Sequence, residues 1–258
     1  MNEYLFRANM RKKAKMRFSD LLNRLDSVIA VHYSCESFAD RPDGASPRVT
    51  SIAIRNLGNG QTTSFSIHQF AEIQHLSMAS IDNQYDILEK AMLETFYKYV
   101  GQHEHVQWVH WKMRDMCYGF PALAHRCKVL GGSPGDIHDS QLLDLSTLLY
   151  ELFGDNYAAH PRLYTLVAKN KITDKDMLSG KDESEAFKAK EYVKLHNSTL
   201  RKVCVLETIV NLLARGMLKT DARWYEKYGG VIGIIREHWM LVVSMLGTIA
   251  SILSLFFL

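Results

Sequence analysis

The last twenty residues, 239–258, read WMLVVSMLGTIASILSLFFL and carry no charge. A helix rises about 1.5 Å per residue, so this stretch reaches about 30 Å, the thickness of a bilayer's hydrocarbon core. A helix in a soluble core keeps one polar stripe. Here Ser244, Thr248, Ser251 and Ser254 are the polar interruptions, and hydroxyls can bond back to their own helix carbonyls in lipid. The pattern predicts one transmembrane helix over 239–258. Arg223, Lys227 and Arg236 lie before it and no basic residue follows. That asymmetry predicts a cytoplasmic N-terminal domain and a single pass through the inner (plasma) membrane.

Within the span, Gly247 with Ser251 and Ala250 with Ser254 make two small-xxx-small pairs. Such spacings let helices approach closely, so a homo-oligomer formed through this helix is one expectation. Trp224, Tyr225, Tyr228, His238 and Trp239 supply amphipathic side chains to residues 221–238, which read as an interfacial linker.

Charge is concentrated at the other end. The chain has 31 Lys and Arg against 28 Asp and Glu, a formal net charge of +3, too mild for a nucleic-acid binder overall. Residues 1–26 hold seven basic and three acidic groups, which accounts for the whole excess. Arg11, Lys12, Lys13, Lys15 and Arg17 form one basic stretch on a predicted helix. They can track nucleic-acid phosphates or sit against anionic lipid headgroups; a merely solubilising helix end is the plainer reading. The four cysteines, Cys35, Cys117, Cys127 and Cys204, form no CxxC pair, which argues against a zinc knuckle or a disulfide scaffold.

Residues 27–220 read as an α/β domain. A β-branched run starts at residue 27. Residues 49–57 and 62–67 are strand candidates around Gly58-Asn59-Gly60, a strong hairpin signal. Helical spacing over 85–100, a strand at 106–111, a helix at 115–129, a short strand in 137–145 and a long helical stretch from 184 to 217 follow. This order predicts a mixed sheet with flanking helices. The Gly-rich run 131–135 lacks the Lys-Ser/Thr of a phosphate loop and reads as a turn. His103, His105 and His110 read as surface or core histidines, and the charged run 181–191 as a solvated helix face.

Two segments carry a resemblance. The first strand ends Val31-His32-Tyr33-Ser34-Cys35-Glu36 and the fourth ends His110-Trp111-Lys112-Met113-Arg114-Asp115. The element order and these segments resemble the RNase H-like domain of DEDD-type 3′–5′ exonucleases. In that family the first strand carries Asp-x-Glu, the next two strands form a hairpin, and the fourth ends in a His-Asn-x-x-Phe-Asp type segment. Glu36, His110 and Asp115 match; Ser34 stands where the first Asp belongs, and Trp111 replaces the Asn. The family's last motif pairs a His or Tyr with an Asp four or five residues on. Neither His196, followed by Arg201, nor Tyr192, followed by His196, satisfies it.

The resemblance implies four carboxylates holding two metal ions, Mg²⁺ or Mn²⁺, which activate water and stabilise the leaving oxygen. Only Glu36 and Asp115 remain, as vestigial candidates; Asp136, Asp139 and Glu207 lack the spacing. No metal, no other cofactor and no confident catalytic residue is therefore expected. A degenerate nuclease-like domain joined to a short anchor is similar to membrane effectors of bacterial antiphage systems, including those encoded beside retron reverse transcriptases. That implies a non-catalytic antiviral effector held by RNA, DNA or a reverse-transcriptase-like nucleoprotein and perturbing the membrane when released. A membrane-tethered metal-dependent exonuclease and a passive membrane tether for a partner are the alternatives.

Overall fold

In the computed structural model, residues 3–37, 46–114, 117–226, 235 and 238–256 are described. Helix α1 (Glu3–Leu22) precedes β1 (Val28–Cys35), β2 (Val49–Asn56) and β3 (Thr62–Ser66). Then come α2 (Ile67–Ile73), α3 (Ile81–Gln102), β4 (Gln107–His110), α4 (Phe120–Val129) and β5 (Leu142–Asp144). The remainder is helical: α5 (Leu145–Phe153), α6 (Arg162–Lys169), α7 (Gly180–Lys188), α8 (Tyr192–Ala214) and α9 (Trp239–Phe256). Two compact units emerge, one of Leu21–Ser146 with Val167–Leu218, the other of Met1–Asp20, Thr147–Leu166 and Lys219–Leu258.

The first unit contains a five-stranded mixed sheet in the order β3-β2-β1-β4-β5. β1 pairs antiparallel with β2 and parallel with β4; β2–β3 is antiparallel and β4–β5 parallel. The expected α/β class with a mixed sheet and flanking helices is thus present. β1 is central and every one of its residues is buried, as a strand covered on both faces must be. The β2–β3 hairpin turns where the Asn-Gly signal places it: Asn56 Oδ1 accepts from the Gly58 and Asn59 amides, and Gly60 adopts φ +73°.

The sheet's first face carries Ile29, Val31, Tyr33, Ile52, Ile54, Phe65 and Trp108 against Met92, Leu93 and Phe96 of α3 and Leu123 and Cys127 of α4. A charged pair, Glu89 and Arg126, enters this layer. Glu89 of α3, fully buried, accepts from the Val49 amide at 2.7 Å and from both Nε and a terminal nitrogen of Arg126 at 2.9 and 2.6 Å. It ties α3, α4 and β2 together with the geometry of a bidentate pair. Burial still pushes the Glu89 carboxyl above its usual range.

Three expectations change in detail. The helix expected from 115 starts at Phe120, with Pro121 in its first turn. Before it, Gly119 runs so close to Met113 that a Cβ would sit 2.5 Å from that residue's carbonyl carbon. The stretch expected as one helix from 184 to 217 is two. Ser179 and Asp182 form a capping box that starts α7, and Lys190 breaks the run at φ +60°. The charged face expected over 181–191 is not wholly solvated either, because Glu183 turns inward. All four cysteines are free thiols.

In the second unit, arginines of α1 meet the end of α5. Arg7 donates to the Tyr150 carbonyl at 2.8 Å, Arg11 to the Leu152 carbonyl at 3.2 Å, and Arg17 pairs with Glu151. The Tyr150 carbonyl also accepts from the Gly154 amide at 2.8 Å, and the carbonyl end of a helix is its negative end, so cations belong there. The segment before α9 joins the same unit: the Asp221 amide donates to the Tyr157 carbonyl at 2.9 Å and Asn156 donates to Glu226 at 3.3 Å.

The transmembrane helix expected over 239–258 is not shown by the described residues, among which no helix is long and apolar enough to cross a membrane. What is described is α9, 18 residues, about 27 Å at the usual rise. Phe257 and Leu258 lie outside the described residues, as do the side chains at 240–242, 251 and 253–256. The hydroxyl behaviour expected there is seen at Thr248, which donates to the Ser244 carbonyl at 2.9 Å.

Candidate functional site

β1 sits where the antiparallel half of the sheet meets the parallel half, and α8 packs across β1 and β2 on the face opposite α3. In a mixed sheet of this kind the carboxyl ends of the parallel strands are the natural place for a site. Glu36 follows β1, Asp115 follows β4, and Asp144 closes β5.

Glu36 is half-buried and continues the ladder: its amide donates to the Arg48 carbonyl at 2.8 Å, and the Arg48 amide donates to its carboxylate at 3.4 Å. Asp115 lies outside the described residues. Asp144, which the sequence reading passed over, is buried beside His110 in the β4–β5 register. Its Oδ1 accepts from the Lys112 amide at 3.2 Å and the Ser146 amide at 3.0 Å, so it caps the start of α5 and pins the turn after β4. Glu207, one of the three carboxylates considered as substitute ligands beside Asp136 and Asp139, is bound to Arg55 at 2.7 Å.

Between β1, β2 and α8 lies a centre built of hydroxyls. Ser34 is paired in register with Ser51 of β2, which puts both side chains on the α8 face. The Ser51 and Thr199 hydroxyl oxygens are 2.7 Å apart, and Thr199 donates back to the Leu195 carbonyl at 2.9 Å, so Ser51 is the donor between them. Ser34, Ser51 and Thr199 are at most 1% exposed, and Ser34 Oγ has no hydrogen-bond partner among the described residues. Ser34 is where the resemblance puts the first metal-binding Asp. No substrate phosphate or hydrated ion reaches a position so completely enclosed.

Cationic and neutral nitrogen groups flank the hydroxyls. One turn further along α8, Lys202 Nζ lies 2.8 Å from Glu183 Oε1, which also accepts from Ser198 Oγ at 3.0 Å. The Ser198 oxygen in turn accepts from the Leu178 amide at 3.1 Å, which completes a satisfied buried network. Burial holds the His32 imidazole well below its ordinary range, and the Lys202 charge pushes it the same way. One turn earlier, His196 lies against His68 with ring centroids 5.0 Å apart, and its Nε2 is buried without a partner among the described residues. Burial, then the neighbouring His68, lowers His196 to about 4. On the same helix Cys204 is half-buried, whereas Lys202 is buried.

These residues do not fit a two-metal centre. Divalent magnesium or manganese needs several anionic oxygens, whereas the enclosed positions hold neutral hydroxyls, neutral imidazoles and one carboxylate, Glu183, already paired with the Lys202 ammonium. Among the described residues no group of three or more His, Cys, Asp or Glu is placed to hold a metal ion. The arrangement can bind α8 to the sheet and fix its register.

The remaining predicted residues are scattered. Arg11 and Arg17 are turned to α5 as described above, whereas Lys12, Lys13 and Lys15 are exposed. Gly247 and Ala250 are exposed on α9, while the side chains of Ser251 and Ser254 lie outside the described residues. The signal that was missed is on α8, where His196, Thr199 and Lys202 recur every third residue and are buried against α2, β2 and α7.

No family model matches the chain. No curated protein matches it either. Among solved structures it is similar to the family B DNA polymerase from the hyperthermophilic archaeon Pyrobaculum calidifontis, at 15% identity and a TM-score of 0.42. The match covers 77% of this chain and 31% of the polymerase chain, so the chain spans less than a third of that protein's length.

Proposed function

We propose that this chain is a non-catalytic membrane effector of a bacterial antiviral defence system, built on a degenerate RNase H-like domain of the DEDD exonuclease type. The observation that carries the non-catalytic part is the enclosed hydroxyl centre of Ser34, Ser51 and Thr199, where the exonuclease chemistry needs solvated carboxylates. The RNase H-like assignment draws on a first strand flanked by the β2–β3 hairpin on one side and by a parallel fourth strand on the other. The defence role draws on the architectural resemblance, a nuclease-like domain joined to a short apolar helix.

Membrane attachment draws on α9. Val243, Met245, Leu246, Ile249 and Ile252 are each half or more exposed along a helix with no charge. Apolar area of that extent needs a cover, and acyl chains supply one. In this reading the domain faces the cytoplasm and is held by a nucleic-acid or nucleoprotein partner. Release of the partner lets the helices cluster through Gly247 and Ala250 and perturb the inner membrane.

Expression of the chain alone in a bacterial host, followed with a potential-sensitive dye, tests the reading. Depolarisation and slowed growth are expected. Gly247→Leu is expected to relieve both while the protein stays in the membrane fraction. An added Cβ at Gly247 meets nothing within 4 Å, so the variant's effect reports on contacts between chains. A lone protein that is harmless at high expression overturns the effector reading and leaves the passive tether.

A further inference from the structure

Helix α1 wears its charges the wrong way round for an ordinary surface helix. Its inward side carries Ala14 and Phe18 together with Arg7 and Arg11, the two arginines that close the end of α5. Its outward side carries Phe6 and Met16, each 58% exposed, alongside the exposed lysines Lys12 and Lys13. At 3.6 residues per turn, Phe6, Lys12, Lys13 and Met16 fall within about 120° of arc, opposite Ala14 and Phe18. Beside them a groove of about 420 Å³ is lined by Met10, Lys13, Met16, Arg17, Asp20 and Glu151. Because Glu151 already holds Arg17, Lys13 is the lining cation without such a partner among the described residues.

We propose that this outward face of α1 is a docking surface for the anionic headgroups of the bilayer. It rests on the membrane reading above and deepens it, adding a second point of attachment to α9. Two observations favour lipid over nucleic acid as the occupant. The face alternates lysines with an aromatic and a thioether side chain, the composition of helices that lie in the headgroup region with ammonium groups at phosphate level and apolar tips below them. It also belongs to the same compact unit as the apolar C-terminal helix. A juxtamembrane lysine gains from an anionic leaflet within about a Debye length of its surface. One apolar helix together with a basic patch is the two-signal arrangement that makes attachment stable.

The test uses the full chain mixed with vesicles of phosphatidylcholine alone or of phosphatidylcholine with phosphatidylglycerol. Amine labelling is read by peptide mass spectrometry, with the exposed Lys181 as internal reference. Labelling of Lys12 and Lys13 is expected to fall about fivefold in the anionic vesicles relative to the neutral ones, and Phe6→Trp to be quenched there by brominated acyl chains. Labelling that is the same in both vesicles, or that falls only when a single-stranded DNA oligonucleotide is added, overturns the proposal. Flotation of the same samples separates it from the anchor: a chain that floats with anionic but not neutral vesicles keeps the headgroup surface and removes the spanning helix.

Discussion

Replacing Lys202 with methionine is expected to lower the stability of the full chain by about 3–5 kcal/mol, read as a shift in the urea midpoint by circular dichroism in detergent. The Lys202 and Glu183 side chains are 5% and 3% exposed, and their atoms meet at 2.8 Å. Methionine preserves most of the volume but leaves the Glu183 carboxylate buried with only the Ser198 hydroxyl to neutralise it. An unpaired buried charge is far more expensive than a missing contact. The double variant Lys202→Met/Glu183→Gln is expected to recover most of the loss, because it removes both charges together. Lys181 and Glu185, a pair 3.9 Å apart and 84% and 63% exposed, provide the contrast, since removing either is expected to cost less than about 1 kcal/mol. A Lys202→Met chain as stable as the parent would mean that the pair does not hold α7 and α8 together.

Stability of this domain is expected to begin falling with pH before its carboxylates titrate in the ordinary range. Burial lowers His110 to about 4 and His196 to about 4, and holds His32 and His68 below their usual value of 6.5. Between pH 6.5 and 4 the unfolded chain binds protons at these imidazoles that the folded chain does not, so stability falls as pH falls through that window. A shift of one pKa unit corresponds to about 1.4 kcal/mol, so His110 and His196 each remove at most about 3 kcal/mol by pH 4. Glu89 opposes part of this. Its raised pKa lets the folded state take up a proton first, which adds stability as pH drops. Urea midpoints measured from pH 7.5 to 4.5 are expected to fall steadily, and His196→Asn to flatten the slope. A flat profile would contradict the burial of these rings.

The strands were legible because apolar runs and turn residues announce them. β1 reads as a continuous buried run, and Asn59-Gly60 places the hairpin within a residue. β4 was expected at 106–111 and spans Gln107–His110. The helices after β5 were less so. The apolar run Leu142-Leu143-Asp144-Leu145 continues into α5 without a polar break, and short apolar runs do not separate strand from helix. Asp144 held the missing clue as a strand-ending cap. Lys190 gives no warning of its left-handed backbone, so α7 and α8 merged into one.

The site was legible only in what it lacks. Ser34 in place of an Asp is visible in the sequence, but Ser51 and Thr199, 148 positions apart, come together only through the fold. Glu183 looked like one charge among many in a solvated run. A carboxylate turned inward by one helical face leaves no mark in composition. The basic stretch of α1 was legible as charge, yet Arg11 and Arg17 serve the end of α5, and Phe6 and Met16, not singled out by charge, mark the open face.

The central claim is that this mixed five-stranded sheet carries a closed hydroxyl and lysine network where the proposed exonuclease resemblance would place a two-metal centre. Titration of the purified full chain with Mn²⁺, followed by electron paramagnetic resonance and paired with a gel assay on single-stranded DNA and RNA, tests it most directly. The account predicts no saturable Mn²⁺ site and no metal-dependent cleavage. Stoichiometric Mn²⁺ binding with cleavage that is lost in Glu36→Ala, Asp115→Ala or Asp144→Ala would contradict it.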